Sequence, residues 1–430
     1  MTGRSDAVVI GAGIVGCSVA FALAQRGYKV TVLDSGPGVA AGTTSSSSAV
    51  IRFHYSYIDA VTLALESAHM WSQWSDVTGE TEPLARFYQV GAVVYETPLL
   101  SLERLQSLFD TAGVAWELWD AEIARQRCAE LDPRRFGPPA PVESPAFFAD
   151  PDGELACLWT PQGGFVDDPQ LAAVNLANAA RRLGAAFRFR QKVVGIPGDG
   201  RVSEVILASG ERVAAEIVVN CAGPWSSQIV EMAGVADEMG VRTRPLRQEV
   251  HVVDAPDGFT VETGGMCVTD ADLGTYFRPH LGGTLLIGGL EPACDELEWI
   301  DDPDSYSTTA SVHGYESNVY RAARRMPGLR VPSSPRGLAS AYDVTDDWTP
   351  IYDKTSRPGF YLAIGTSGNQ FKNAPMIGPI MSALIAASDE GRDHDIDPLR
   401  FHLPQIDRSL DLGHFSRLRA PHHSSGSVVG

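Results

Sequence analysis

Three stretches of the chain share one pattern of hydrophobic and polar positions: an apolar run short enough for a strand, a glycine-bearing turn, then apolar residues at helical spacing. The first, "DAVVIGAGIVGCSVAFALAQRGYKVTVLD", predicts a strand, an amphipathic helix and a second apolar strand ending at Asp34. The second, "GERVAAEIVVNCAGPWSSQIVEMAG", predicts a strand over 217–221, then Ala222-Gly223, a Trp and a serine pair opening a helix. The third, "GFYLAIGTSGNQFKNAPMIGPIMSALIAA", predicts a strand, a tight loop holding Lys372, and a helix. Between them, "RTRPLRQEVHVVDAP" and "GTLLIGGLEP" read as strands of a mixed or antiparallel sheet, and "LLSLERLQSLFDTAG" as a helix packed on it. The end, "APHHSSGSVVG", has no apolar period and reads as a frayed tail, with its His422-His423 pair incidental.

Composition narrows the class. A chain of 430 residues exceeds what one core usually supports, and 44% hydrophobic with 20% charged residues is ordinary globular usage. A formal charge of −19 argues against nucleic acid or an anionic membrane as a partner, since both repel it. Six scattered cysteines with no CxxC pair read as reduced, buried thiols, with no metal site expected. The run from Ala7 to Ala24 is apolar enough to mimic a membrane or signal segment, but its spaced glycines and the single basic flank Arg4 favour strand, turn and helix, hence a cytoplasmic protein.

The first turn carries a specific chemistry. Gly11-x-Gly13-x-x-Gly16 allows a tight turn, close backbone approach to a pyrophosphate and close packing of helix on strand, while the helix N-terminus offers free N–H groups to phosphate. Asp34 at the tip of the second strand is placed for ribose hydroxyls. "SGPGVAAGTTSSSSAVIRFHYS" then reads as a cofactor-contacting loop with Arg52 projecting from the ordered residues after it. An NAD unit is usually contiguous. Cofactor-type pieces spread over the whole chain therefore suggest a larger dinucleotide.

These pieces, in this order, resemble the FAD-dependent amine and amino-acid oxidoreductase superfamily of D-amino-acid oxidase and glycine oxidase, most closely its sarcosine oxidase and dimethylglycine dehydrogenase branch. The resemblance rests on Gly11 to Asp34, Ser45 to Arg52, "VVNCAGPWS", the stretch Thr345-Asp346-Asp347-Trp348-Thr349-Pro350, and "GTSGNQFK", and spans the chain to about residue 390. It implies an α/β protein, with a Rossmann-like FAD domain (1–90, 155–235 and 340–390) interleaved with an α+β substrate domain on a mixed or antiparallel sheet (91–154 and 236–339), and a C-terminal extension and tail (391–430). FAD is then expected against Gly11, Gly13, Ile14, Val15, Gly16, Asp34, Ser35, Thr44, Ser45, Ser46, Ser48, Val193, Ala222, Gly223 and Trp225. From the C-terminal loop, Gly365, Ser367, Gly368, Asn369, Gln370, Phe371 and Lys372 join them.

For the substrate, the resemblance implies that Arg52 and Lys372 converge on a carboxylate above the flavin, one as a planar fork and the other as a point charge. Tyr276, Arg278, Tyr342 and His54 are further pocket candidates. Ser340 aligns with the cysteine that tethers flavin in monomeric sarcosine oxidases, so attachment by that route is not expected. Leu286 aligns with a lysine linked there to reaction with oxygen, which leaves the electron acceptor open. The implied reaction is oxidation of a carboxylate-bearing amine, such as an N-methyl, cyclic or other secondary amino acid, to an imine by hydride transfer to flavin. Alternatives are a D-amino acid or glycine oxidase, a 2-hydroxy-acid dehydrogenase of the same fold, and a non-catalytic FAD-binding assembly factor.

Overall fold

The strand Ala7–Ile10 is apolar and buried on both faces, which fits a central parallel strand covered by layers on each side. The structure, a computed structural model, describes residues 5–97 and 101–422. In it, Ala7–Ile10 pairs in parallel with Val30–Leu33 on one side and Ile217–Asn220 on the other. The full sheet runs Ile351–Lys354, Phe360–Ile364, Ile217–Asn220, Ala7–Ile10, Val30–Leu33, Ala186–Arg188, parallel throughout except for the antiparallel edge strand Ile351–Lys354. The strands either side of Ala7–Ile10 are reached by connections that run in different directions along the sheet, and ligand crevices form at the carboxyl ends of strands at such a point.

The helix Ile14–Gln25 departs from the amphipathic expectation. Most of its residues are buried, because Ala374–Asp389 and Pro169–Arg182 both pack against it. A helix apolar nearly all round belongs inside a layer, and this one does. Ser18 fixes the contact: its Oγ donates to the Ala374 carbonyl at 2.5 Å and accepts from the Gly378 N–H at 2.9 Å. The helix that follows the C-terminal loop is thus tied to the first helix of the chain.

The second sheet has eight strands in the order Gly337–Thr345, Thr243–Asp254, Thr284–Gly289, Thr275–His280, Cys267–Asp270, Ala92–Tyr95, Cys157–Thr160, Glu117–Trp119. All its pairings are antiparallel except Cys267–Asp270 with Ala92–Tyr95, so the sheet is mixed. The amphipathic helix Val312–Arg325 lays Tyr315, Val319 and Ala322 against Phe277, Leu285 and Ile287 of the sheet. Arg325, fully buried, anchors it by donating to Asp270 at 2.7 Å and Asp272 at 3.0 Å. Removing one partner would leave a buried charge, which costs about 3–5 kcal/mol.

The predicted helix from Leu99 is seen as Leu102–Ala112; Leu99 and Leu100 lie outside the described residues. Beyond residue 390 the chain stays packed. Arg400–Leu403 and Arg408–Asp411 form a hairpin, Leu403, Leu410 and Phe415 are buried, and Glu66 accepts from the Gln405 and Ile406 N–H groups. The frayed-tail reading therefore fails for 420–422: the His422 N–H donates to Asp347 at 3.1 Å and its ring stacks on His414 at 4.3 Å. His423 and the rest of that tail lie outside the described residues. No helix among the described residues is long and apolar enough to cross a membrane.

Candidate active site

One elongated cavity of about 450 Å³ joins the two sheets. At one end it is lined by backbone. Gly11 turns at φ +108°, and a Cβ there would strike the Cys221 carbonyl, while one on Gly16 would strike the Gly11 carbonyl. No side chain caps the helix Ile14–Gln25 from Gly13 and no acidic residue stands in its first turn, so its N-terminal N–H groups face the cavity. Thr44 Oγ1 takes one of them, accepting from Ile14 N–H at 3.1 Å. Asp34 lines the same end, its carboxylate accepting from the N–H of Ala12 at 2.6 Å and of Gly36 at 2.7 Å. Each carboxylate oxygen keeps a second lone pair for a ribose hydroxyl. A glycine cradle, a helix N-terminus with no acidic residue in its first turn and an acidic residue at the next strand tip are the donor and acceptor set a dinucleotide needs, so these residues fit FAD.

Most cofactor expectations reach this cavity: Gly11, Gly13, Ile14, Val15, Asp34, Ser35, Thr44, Ser46, Ser48, Val193, Ala222, Gly223, Trp225, Gly368, Asn369, Gln370, Phe371 and Lys372 all line it. Four do not. Gly16 sits behind, against Gly11; Ser45 turns away and donates to the Gly42 carbonyl at 2.9 Å. Gly365 and Ser367 hold the loop instead, the Gly365 N–H donating to Asp343 Oδ2 at 2.6 Å and the Ser367 N–H to the Asp343 carbonyl at 2.8 Å. Asp343 also accepts from Ser226 at 2.9 Å, tying the serine pair after Trp225 to the C-terminal loop. Burial pushes its carboxyl up to about 7, against the pull of the Gly365 N–H and the two hydroxyls of Ser226 and Thr243.

The other end is built of side chains. Arg52 and Lys372, both nearly inaccessible, flank the ring of Tyr55: the guanidinium carbon lies 4.7 Å and Lys372 Nζ 5.2 Å from its centroid. Lys372 Nζ donates to Tyr55 Oη at 2.8 Å and to the Asn369 carbonyl at 2.7 Å, which leaves capacity for one more acceptor. Burial, and then the charge of Arg52, hold the Lys372 ammonium well below the usual lysine range. Burial also lowers Arg52, opposed by Tyr55, Tyr342, Glu291 and Tyr276. Its guanidinium stays charged, since an arginine starts above about 12.

Tyr276 and Tyr342 close the pocket beside these cations, packed in one cluster, with Tyr276 Oη standing 2.6 Å from Ser48 Oγ. Gly368, at φ +68°, passes over the Tyr342 ring where a Cβ would collide. His54 and Arg278, in contrast, do not line the cavity. The strand Val50–Ile51 ends before Arg52, so strand alternation does not carry His54 to the same face; it offers its carbonyl to Arg52 at 2.7 Å, and burial lowers its imidazole well below 6.5, keeping it neutral. Arg278 is fully buried under the serine-rich loop, donating to the Ser48 carbonyl at 2.6 Å and lying 4.1 Å over Phe165, with burial lowering it to about 10. Leu286 is its cross-strand partner and also stays outside the cavity, whereas Ser340 lines it.

Two groups were missed from sequence. Tyr55, three residues past Arg52, is the surface on which both cations rest. Glu291, just after the hairpin, acts electrostatically on Arg52, Tyr276 and Tyr342. The only signal for it was a lone acidic residue between an apolar strand and Pro292.

A cradle for a dinucleotide joined to a buried cationic pocket defines a flavin-dependent oxidoreductase. The chain belongs to the DAO family, FAD dependent oxidoreductase, whose family model matches residues 6–384. It is similar to glycine oxidase from Geobacillus kaustophilus, 23% identical over 413 residues covering 94% of this chain and 97% of that protein. It is also similar to the mitochondrial dimethylglycine dehydrogenase of Homo sapiens, 22% identical over 232 residues, covering 54% of this chain and 25% of that one. Among solved structures, L-proline dehydrogenase from P. horikoshii shares the fold, with a TM-score of 0.77 and 21% identity over 97% of this chain and 98% of that chain.

Proposed function

We propose that the protein oxidises a carboxylate-bearing amine, specifically an N-methyl, cyclic or other secondary amino acid, to the corresponding imine. The observation that supports this is the placement of Arg52 and Lys372 around Tyr55, at the far end of a cavity whose near end fits FAD. Two of the similar proteins are named for L-proline and dimethylglycine, amino acids with a substituted nitrogen.

Gly11, Gly13, Thr44 and Asp34 would hold FAD, with no covalent bond expected at Ser340, and it would supply the acceptor for hydride from the carbon beside the amine. The chain's own residues do the positioning. Arg52 presents a planar fork to the carboxylate and Lys372 its remaining N–H, and these charge-assisted contacts fix which C–H faces the cavity's other half. Tyr276, Tyr342 and Leu290 surround the substrate with ring and aliphatic surface that keeps water out. His54 stays neutral behind Arg52 and adds no third charge. The imine is hydrolysed in water after release. We also place the protein in the cytoplasm, a reading supported by six free cysteines.

The test is anaerobic bleaching of the flavin absorbance of the purified protein by a panel of N-methyl, cyclic and D-amino acids, glycine and 2-hydroxy acids. Bleaching by the secondary amino acids ahead of the rest is expected. Bleaching by glycine or D-amino acids first would move the protein to a primary amino-acid oxidase, and by 2-hydroxy acids first to a different reaction.

A further inference from the structure

The strand Gly337–Thr345 lies at the edge of its sheet, so its outer backbone groups near Asp343 have no neighbouring strand to meet. The loop that carries Lys372 takes them up. The Ser367 N–H donates to the Asp343 carbonyl at 2.8 Å, and the Thr345 N–H to Ser367 Oγ at 3.2 Å. Ser367 adopts φ +46° in doing so, a left-handed conformation that a non-glycine residue holds only where its surroundings impose it. Asp343 grips the loop a second time, its buried carboxylate accepting from the Gly365 N–H at 2.6 Å on Oδ2 and from Ser226 Oγ at 2.9 Å on Oδ1. Successive side chains of a strand point to opposite faces, so Tyr342 lines the cavity and Asp343 does not. From behind, Asp343 joins three pieces of the cavity wall: Tyr342, the helix start after Trp225, and the loop itself. At the loop's other end the Asn369 carbonyl accepts from Lys372 Nζ at 2.7 Å and from Tyr55 Oη at 3.0 Å.

We propose that Asp343 is a positioning residue for the substrate carboxylate: by fixing the base of the loop Gly365–Lys372 against Tyr342 it sets where Lys372 Nζ stands, without touching substrate or cofactor. The inference rests on the carboxylate-site reading of Lys372 given above. A loop hung on one backbone bond can swing about it. The second tie at Gly365 is charge-assisted and two residues away from the first, so the two together fix the loop's direction as well as its distance from the strand. An ammonium displaced by about 1 Å forfeits most of a directed contact, so a tie outside the pocket governs affinity inside it.

The holoenzyme, kept in excess FAD and at one pH throughout, is titrated with acetate, which has no amine to oxidise, reading both the flavin absorbance shift and the heat of binding. D343A, which removes the tie at Gly365, is expected to bind acetate about tenfold more weakly than the wild type. D343N keeps the shape and an acceptor for the Gly365 N–H but not the charge; it is expected to weaken acetate only about threefold, and decides the matter if D343A does not fold. Both losses should vanish in a K372M background, to within about 1.5-fold, because the effect passes through that ammonium. Acetate binding unchanged in both Asp343 variants, whatever happens to Tm, overturns the proposal. So does a loss of the same size with and without Lys372, which a general loosening of the fold would give. K372M alone separates the two readings. If it weakens acetate while the Asp343 variants do not, only the positioning role fails; if K372M binds acetate like the wild type, the carboxylate site at Lys372 fails with it.

Discussion

The two ends of the cavity are made from different parts of the chain and by different means. The cofactor end is mostly backbone: a turn, a helix N-terminus and one carboxylate, all within Gly11 to Asp34, with Ala222 and Gly223 from the neighbouring strand. The substrate end is side chain, and its members come from far apart: Arg52 and Tyr55 from near the start, Tyr276 from the hairpin, Tyr342 from the edge strand Gly337–Thr345, Lys372 from the last loop. Backbone sites need space and fixed dihedral angles; side-chain sites of buried charge need partners. The first kind is broken by adding a methyl group, the second by moving or removing a charge.

The largest effect is expected at the cofactor end. Gly11→Ala puts a Cβ into the Cys221 carbonyl at a φ of +108°, so either the turn or the neighbouring strand must move. Strain at such a position costs roughly 1–3 kcal/mol before the collision is counted. The purified variant is expected to be colourless, with FAD bound at least about a hundredfold more weakly and a lowered Tm, whereas Lys372→Met stays yellow. A yellow Gly11→Ala protein would erase the distinction between the ends.

A smaller, graded effect comes from pH at the substrate end. Lys372 carries its charge only below a pKa that burial and Arg52 hold well under the usual lysine value, and a bound carboxylate favours the charged form. Affinity for an unreactive carboxylate should therefore be highest at low pH and fall as the pH rises through the depressed pKa. Substrate oxidation should run the other way. An alkylamine with a pKa of about 10.4 must lose its proton first, so kcat/KM rises between about pH 7 and 9. Equilibrium titrations and rates measured over the same range check both slopes. In Lys372→Met the fall in carboxylate affinity should disappear while the rise from the amine persists; a fall of unchanged size would assign it to another group.

The contrast between the ends also explains what could be read from sequence. The glycine cradle and Asp34 are local, and their spacing alone carries the geometry. Arg52 and Lys372 come from opposite ends of the chain and no spacing joins them; only the resemblance of the surrounding motifs did. Glu291 escaped both routes, since its place depends on the hairpin register and on a left-handed residue that is not glycine. His54 and Arg278 were named by the resemblance alone, and neither lines the cavity: His54 lies beyond the short strand Val50–Ile51, and Arg278 is held under the serine-rich loop by the Ser48 carbonyl. The first helix, expected to be amphipathic, has a sequence that is apolar nearly all round; what local pattern cannot report is which partners, Ala374–Asp389 and Pro169–Arg182, cover it.

The central claim is that Arg52 and Lys372 bind the substrate's carboxylate, and it is tested most directly by kcat/KM for a carboxylate-bearing amine and for the same amine without the carboxylate, in wild type, Arg52→Met and Lys372→Met. A charge-assisted hydrogen bond is worth about 1.5–3 kcal/mol, so each substitution is expected to lower kcat/KM for the carboxylate substrate roughly ten- to hundredfold and to leave the carboxylate-free amine within about twofold. Equal losses on both substrates would show that the two cations hold the fold together rather than the substrate, and would contradict the account.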